Sequence, residues 1–233
     1  MERSITDREL SRFLLRACHD LRSAARGVRT HTELFLKNAN QPEMAGFAER
    51  LGFIVDGSRK MDGLLDSLVN YAVALETDPE TFRQARTDTL LRLVLAQLGP
   101  ELHAAQAEVT YAGLPAVTGD QDRLMQVFEN LLRNAVVHRG EAPPRIHVSA
   151  AKREQEWVFA VRDNGPGVEA EFLETIFEPF ERLSKQRPGA GLGLAISRAI
   201  VERHGGRMWA EAPAEGGGAF YFTLPADVGE GPG

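Results

Sequence analysis

The chain has 233 residues and carries 33 acidic side chains against 27 lysines and arginines, which gives a formal net charge of −6. This acidic balance argues against a general nucleic-acid binder, because phosphate backbones are bound by basic surfaces. The composition is that of a folded globular chain, and no apolar run approaches the roughly 20 residues that cross a bilayer, so we expect no membrane-spanning segment.

The N-terminus and the cysteine content indicate the compartment. Residues 1–4, Met-Glu-Arg-Ser, lack the apolar core of an export signal. The single cysteine, Cys18, cannot form an intrachain disulfide. A reducing cytoplasm is therefore the expected location.

Two long helices are predicted between Leu10 and Leu75, joined by turn-forming residues at 38–42. On both sides of that turn, apolar residues recur at alternating steps of four and three, the heptad pattern of bundled helices. The seam positions are Leu10, Leu14, Ala17, Leu21, Ala24, Val28, His31 and Phe35 on the first helix, and Met44, Phe47, Leu51, Ile54, Ser58, Met61, Leu65, Leu68, Ala72 and Leu75 on the second. This pattern makes His31 a packed bundle residue.

The second helix has more apolar surface than one antiparallel partner can cover. Beyond its seam it carries Phe53, Val55, Leu64, Val69 and Val73. We therefore expect the antiparallel helical hairpin to form a homodimer, as a four-helix bundle.

The polar run at residues 76–80, Glu-Thr-Asp-Pro-Glu, ends the heptad pattern and predicts a domain boundary. We expect one domain at 1–77, a second at 78–227 and a disordered tail at 228–233. The second domain shows patterns of helices at 88–106, 120–138 and 191–204, and of strands at 109–112, 145–151, 157–162, 207–211 and 219–224, with a glycine turn at 216–218. This mixture predicts an α+β fold, with an α/β sandwich as the second domain.

Three polar elements of the second domain could bind a ligand. Asn130 and Asn134 lie four residues apart and project from one helix face, where amide oxygens could reach a cation, although a solvated polar face is the default for such a pair. Residues 163–167, Asp-Asn-Gly-Pro-Gly, follow an apolar strand. They could form a simple turn, or the aspartate could accept a hydrogen bond from the exocyclic amine of a base.

The third element is residues 189–194, Gly-Ala-Gly-Leu-Gly-Leu, at the start of a helix. Its backbone N–H groups at a helix N-terminus would suit a polyphosphate. It is not a P-loop, because no Lys-Ser or Lys-Thr follows. Alone, each of the three elements is a weak signal.

Their order makes the signal strong, because residues 176–182, Ile-Phe-Glu-Pro-Phe-Glu-Arg, stand between the second and third elements. The series resembles the N, G1, F and G2 boxes of the ATP-binding domain of two-component sensor histidine kinases, in particular the phytochrome-type modules. Residues 204–209 and 220–225 are similar to that family's closing helix end and hairpin. Residues 18–22, Cys-His-Asp-Leu-Arg, resemble its phosphoacceptor box, so nearly all of residues 10–225 are covered.

The heptad pattern supports His19 as the acceptor independently. With Leu14, Ala17 and Leu21 on the seam, His19 occupies an f position and points away from the bundle. By itself such a residue would be a solvated surface histidine; the boxes of the second domain reverse that interpretation. Cys18 and His19 point in different directions on a helix, which argues against a metal pair.

The resemblance implies a mechanism. The γ-phosphoryl group of ATP would pass to His19 and then to an aspartate of a response regulator. The catalytic residues would be His19, Asp20 as proton acceptor for the ring, and Arg182 as counter-charge to the γ-phosphate. Asn134, with Asn130 beside it, would hold Mg²⁺. The ATP-binding set would be Asn130, Asn134, His138, Asp163, Gly165, Gly167, Phe177, Gly189, Gly191, Leu192 and Gly193.

Two other functions remain open. An ATPase of the same nucleotide-binding fold could drive a clamp or chaperone motion, but such relatives carry a glutamate base where Asn130 stands, and an amide cannot take a proton from water. A degenerate module could bind nucleotide without chemistry. Acid-labile, base-stable phosphate on the purified protein would separate a kinase from both.

The sequence departs from the family pattern at three positions. Ala24 replaces a common proline, so we expect no proline kink in the first helix at that point. Ser23 stands where phosphatase activity usually relies on Thr or Asn. Val137 stands where a phosphate-binding lysine is common.

Overall fold

The structure is a computed structural model that describes residues 7–38, 45–183, 190–213 and 216–226. In the first two helices, the side chains of residues 7–13, 16, 17, 20, 23, 24, 35–38 and 45–50 are outside this description. The chain divides into two compact units, with the boundary between Glu76 and Thr77. Residues 39–42 of the expected turn and the expected tail at 228–233 lie outside the described residues.

The first unit is a hairpin of α1 (Asp7–Asn38) and α2 (Ala45–Leu75). Ion pairs join the two helices, with Arg22 2.7 Å from Asp66 and Arg59 3.7 Å from Glu33. The later residue on α1, Glu33, pairs with the earlier residue on α2, Arg59. The hairpin is therefore antiparallel, as expected from the sequence.

Within one chain the buried stripe differs from the expected seam: on α1 the buried residues come one position after seam residues, and on α2 the seam is only partly buried. The buried stripe repeats every seven residues on both helices and contains Cys18, Ala25 and Thr32 of α1 and Ser58, Leu65 and Ala72 of α2. The second stripe is exposed and contains Leu21 (53%), Val28 (51%), Ile54, Met61 and Leu64. His31, expected to be packed, is also exposed in the single chain. One helix can cover only one face of its neighbour, so the second apolar stripe stays at the surface.

The second unit is built on a mixed five-stranded sheet. Its strands are β2 (Glu108–Tyr111), β4 (Arg145–Arg153), β5 (Glu156–Asp163), β6 (Met208–Glu211) and β7 (Gly218–Pro225). Their order across the sheet is β2-β4-β5-β7-β6. β2 runs parallel to β4, and the other pairs are antiparallel. The expected glycine turn is one residue shorter, because Gly218 belongs to β7.

A separate two-stranded sheet pairs β1 (Arg83–Arg86) with β3 (Ala116–Gly119), and the sequence patterns did not predict it. The expectation of a single helix at 88–106 is wrong. This segment forms two helices, α3 (Thr87–Gln97) and α4 (Gly99–Ala104), which are separated at Leu98. Pro100 lies in the first turn of α4, where its missing N–H costs no helical hydrogen bond.

The two helices that matter most for the site are α5 (Gln121–Val137) and α6 (Gly193–Arg203). The apolar face of α5 packs on the sheet, with the ring of Phe128 6.1 Å from that of Phe159 and 5.8 Å from that of Phe222. The expected α+β class, a helical hairpin followed by an α/β sandwich, is thereby confirmed. None of the helices in the described part of the chain is long and apolar enough to cross a membrane.

His204 connects the start of α5 to the end of α6. Its Nε2 accepts the N–H of Asp120 at 3.0 Å, and its Nδ1 lies 2.8 Å from the carbonyl oxygen of Ile200. This pair of contacts requires a neutral ring with the proton on Nδ1. Its pKa is lowered by burial, against the opposing effects of the Ile200 carbonyl and the Asp120 charge. The ring of Phe82 stacks on it at 4.2 Å.

Candidate functional site

A cleft of about 700 Å³ opens between α5, the loop after β5 and the start of α6. Its walls combine apolar side chains with charged and amide groups. The described lining residues are Asn130, Arg133, Asn134, Val137, His138, Asp163, Pro166, Gly167, Val168, Glu169, Phe172, Ile176, Glu181, Arg182, Leu183, Ala190, Gly191, Gly193, Leu194, Gly218 and Phe220.

Asp163 is the last residue of β5 and is oriented by backbone donors. Its Oδ1 accepts the N–H of Gly165 at 2.8 Å and that of Gly218 at 3.3 Å. Burial raises the pKa of this carboxyl group, and the two N–H groups act in the opposite direction. The two backbone N–H groups thus fix the orientation of the carboxylate through one of its oxygens, Oδ1.

Glycine is required around this carboxylate. A Cβ on Gly218 would lie 2.6 Å from Oδ2 of Asp163, and one on Gly165 would lie 2.7 Å from Oδ1. Gly167 has a φ of +74°, which side-chain residues rarely adopt. The loop after β5 can therefore pass close to the strand end only because these positions have no side chain.

Asn130 joins the two helices of the site. Its Nδ2 donates to the carbonyl oxygen of Gly193 at 3.0 Å and contacts Oγ of Ser197 at 3.1 Å. Both contacts use the NH₂ group of the amide, so neither uses its Oδ1. Asn134 and His138, one and two turns further along the same helix face, also line the cleft.

A backbone hydrogen bond connects the segment at residues 180–182 to Gly191, just before α6. The N–H of Phe180 donates to the carbonyl oxygen of Gly191 at 2.8 Å. Gly191 has a φ of +71°, and a Cβ there would lie 2.8 Å from the carbonyl oxygen of Glu181. Residues 180–182 and 191 are thus held together at one wall of the cleft. Gly189 lies outside the described residues.

Most of the expected ATP-binding residues meet at this cleft, but three of the described ones do not line it. Phe177 (4% exposed) and Leu192 (1% exposed) are buried core residues. Ile176, the neighbour of Phe177, faces the cleft instead. Gly165 does not line the cleft either, and it acts on the site through its N–H bond to Asp163.

Sequence reasoning missed several lining residues, including Arg133, Glu169, Phe172, Gly218 and Phe220. For Arg133 a signal was present, because it lies three residues after Asn130 on the same helix. Gly218 could not be found without the sheet register, which places it directly opposite Asp163.

The expected phosphoacceptor lies in the other unit. His19 is exposed on α1, while the adjacent Cys18 is 1% exposed. Burial raises the pKa of the Cys18 thiol, against the influence of Arg22. The side chain of Asp20 is outside the described residues.

Comparisons with known proteins agree with this arrangement. Residues 119–228 match the family of histidine kinase-, DNA gyrase B-, and HSP90-like ATPases. The chain is 35% identical over 227 residues to cyanobacterial phytochrome A of a Nostoc species, and 32% identical over 220 residues to the methanogenesis regulatory histidine kinase FilI of Methanothrix harundinacea. These alignments cover 97% and 93% of this chain, but only 29% and 25% of the two relatives.

Among solved structures, full-length ShkA in complex with AMPPNP is similar with a TM-score of 0.71 and 26% sequence identity. The similarity covers 92% of this chain and 45% of the ShkA chain. It therefore includes the helical hairpin as well as the unit that contains the cleft. Because both the sequence and the structural similarities extend through the two units, the chain belongs to the sensor histidine kinases and corresponds to their catalytic core.

Proposed function

We propose that this chain phosphorylates its own His19 with Mg-ATP and passes the phosphoryl group to an aspartate of a response regulator. The first unit would act as the acceptor and dimerisation domain and the second as the ATP-binding domain. The observation that carries the proposal is the orientation of Asp163 by the N–H groups of Gly165 and Gly218, in a cleft that Asn130 and Asn134 also line.

Asp163 is proposed to recognise adenine. The N–H groups of Gly165 and Gly218 both donate to its Oδ1, and Oδ2 can accept the hydrogen of the adenine 6-amino group. Guanine has a carbonyl oxygen in that place, which cannot donate, so the site should prefer ATP to GTP. The carboxylate form is needed for this bond. The two N–H groups favour that form against the effect of burial.

Mg²⁺ is proposed to bind amide oxygens together with phosphate oxygens. No group of three or more His, Cys, Asp or Glu residues in the described part of the chain could hold a metal ion. Asn130 uses its NH₂ toward Gly193 and Ser197, which leaves its Oδ1 as a ligand atom, and Asn134 lines the same cleft. These donors fit a hard cation that prefers oxygen. When bound, Mg²⁺ offsets the negative charge of the phosphates.

In the transfer step, a ring nitrogen of His19 attacks the γ-phosphorus while the bond to the bridging oxygen breaks, and ADP leaves with the bonding electrons. The attacking nitrogen must be unprotonated. Asp20, the next residue, is proposed to accept the proton of the other ring nitrogen. Arg182, which lines the cleft, is proposed to counter the charge that develops at the γ-phosphate.

The exposed stripe of Leu21, Val28, Ile54, Met61 and Leu64 is proposed to bind a second copy of the hairpin. Burying it would remove apolar surface from water and complete a four-helix bundle. His19 is exposed in the single chain, so we propose that a response regulator reaches its phosphorylated ring. Because ATP is the substrate, the reaction is proposed to take place in the cytoplasm.

An ATPase that uses hydrolysis for a clamp or chaperone motion fits the site less well. The amide of Asn130 has no basic group to take a proton from water. Its NH₂ is also engaged with Gly193 and Ser197, in contacts that join α5 to α6. Asn130 is therefore better suited to holding the helices and a cation than to base catalysis.

Autophosphorylation with radiolabelled ATP tests the proposal. The wild-type chain should acquire acid-labile, base-stable phosphate, and His19→Gln should acquire none while binding ATP with nearly unchanged affinity. His31→Gln replaces another exposed histidine of α1 and should be labelled like the wild type. Equal labelling of His19→Gln would refute the acceptor. An unlabelled wild type that still binds ATP would be a nucleotide-binding module without transfer.

A further inference from the structure

Arg133 is a charged residue of the cleft that the mechanism above does not use. It lies on α5 between Asn130 and Asn134 and lines the same cleft as both. Its position one turn before Val137 places the two side chains on neighbouring parts of one helix face. A residue in this place can reach a ligand that lies along α5.

The charges of the cleft give Arg133 a reason to bind phosphate. Among the described lining residues, the arginines are Arg133 and Arg182, and the acidic residues are Asp163, Glu169 and Glu181. The described lining therefore offers no excess of positive charge to a strongly anionic triphosphate, and Val137 adds none. Lys185 and Arg187 belong to the segment outside the described residues.

The guanidinium group of Arg133 is held by two carboxylates at the edge of the cleft. Its Nη2 lies 2.8 Å from Oε1 of Glu101, and its Nη1 lies 3.2 Å from Oε1 of Glu129. The side chains of Arg133 and Glu101 are 49% and 51% exposed. Water screens ion pairs this exposed, so they contribute little to stability and exchange at low cost. A phosphate group offers the same guanidinium a charge-assisted, bidentate partner.

We propose that Arg133 is a phosphate-binding residue of this cleft, and that it exchanges its ion pair with Glu101 for the triphosphate of ATP. Glu101 then acts as an internal competitor that lowers the affinity for nucleotide. This inference rests on the proposed function, since it assigns one more contact to the same nucleotide.

Calorimetric titrations of the full chain with Mg-ATP and with adenosine test the assignment. Arg133→Ala should weaken ATP binding roughly three- to tenfold and leave adenosine binding unchanged, because adenosine has no phosphate. Adding Val137→Lys to Arg133→Ala should restore most of the lost ATP affinity, because the new lysine stands one helical turn after position 133. Glu101→Gln should tighten ATP binding by up to about threefold, and only when Arg133 is present.

The matched control is Arg123→Ala, an arginine of the same helix that does not line the cleft and contacts Gln126 at 3.1 Å. It should bind ATP like the wild type. Unchanged ATP affinity of Arg133→Ala, or equal losses for ATP and adenosine, would overturn the inference. A wild-type chain with no affinity for ATP would instead remove the proposed function itself.

Discussion

Asp163 and Gly218 lie directly opposite each other on β5 and β7, and the N–H of Gly218 donates to Oδ1 of Asp163 over 3.3 Å. The sheet register thus supplies one of the two donors that orient the carboxylate, while the local turn supplies the other through Gly165. The proposed adenine site therefore depends on a cross-strand pair as well as on the motif that contains Asp163.

This relationship predicts the effect of Gly218→Ala. The new Cβ would lie 2.6 Å from Oδ2 of Asp163, so the carboxylate must turn away from its position. ATP binding should weaken about tenfold or more, because a displacement of this size removes the alignment of the acceptor. Calorimetry measures the effect. Gly113→Ala, where a Cβ meets nothing within 4 Å, is the control and should bind like the wild type.

Asp163→Asn should weaken ATP binding without lowering the free energy of unfolding. The amide can present its NH₂ to the adenine amine and loses the charge-assisted bond, which should cost about 1.5–3 kcal/mol of ATP binding. Because burial raises the pKa of Asp163, a neutral side chain should be tolerated, and the free energy of unfolding should not fall. Calorimetry and chemical denaturation provide the two readouts. Unaltered ATP affinity would remove Asp163 from the adenine role.

The hairpin should dimerise through its exposed stripe. Leu21→Glu combined with Met61→Glu should raise the dimer dissociation constant more than about tenfold, because unpaired carboxylates are costly to bury. Leu65 is unsuitable for this test, since it is buried between the two helices of one chain. Sedimentation measures the state of association, with exposed Thr30→Glu as the control. A wild-type chain that remains monomeric at high concentration would contradict the bundle.

Val137→Lys tests whether the cleft is short of positive charge. Val137 lies three residues after Asn134, and a lysine there could reach a phosphate oxygen. One exposed contact contributes about 1 kcal/mol, so ATP binding should tighten by less than about tenfold. Titration of a fluorescent nucleotide at two salt concentrations measures the gain. No gain at low salt would mean that Arg133, Arg139 or Arg182 already neutralises that phosphate.

His204 should make stability depend on pH. Burial lowers the pKa of this ring below its ordinary value of about 6.5, so the unfolded chain binds the proton more readily than the folded one. The free energy of unfolding should therefore fall as the pH drops below about 6.5, with a slope of at most about 1.4 kcal/mol per pH unit. The free energy of unfolding stops falling for this reason once the pH is below the pKa of His204 in the folded chain.

Denaturation of the wild type and of His204→Gln at several pH values measures this contribution. Protonation of Nε2 would also remove the acceptor for the Asp120 N–H. The variant should be less stable at neutral pH and should lack this part of the slope. Parallel pH profiles for the two proteins would show that His204 does not titrate in the transition.

The sequence by itself determined which local elements carry polar groups and in what order. Asn130 and Asn134 share a helix face because they are four residues apart, and Asp163 ends a strand because an apolar run precedes it. These features depend on neighbours in the chain, so backbone periodicity is sufficient to predict them. The same reasoning predicted the antiparallel hairpin.

Only the tertiary structure decided which side chains face the cleft and which face the core. Ile176 lines the cleft and Phe177 does not, although both are buried and both belong to one short motif. Gly218 reaches Asp163 through strand pairing across 55 residues of sequence. On α1 the buried stripe lies one residue after the expected seam, and on α2 the seam is only partly buried, because each helix covers one side of the other. Such contacts depend on how distant segments pack, and no local pattern contains that information.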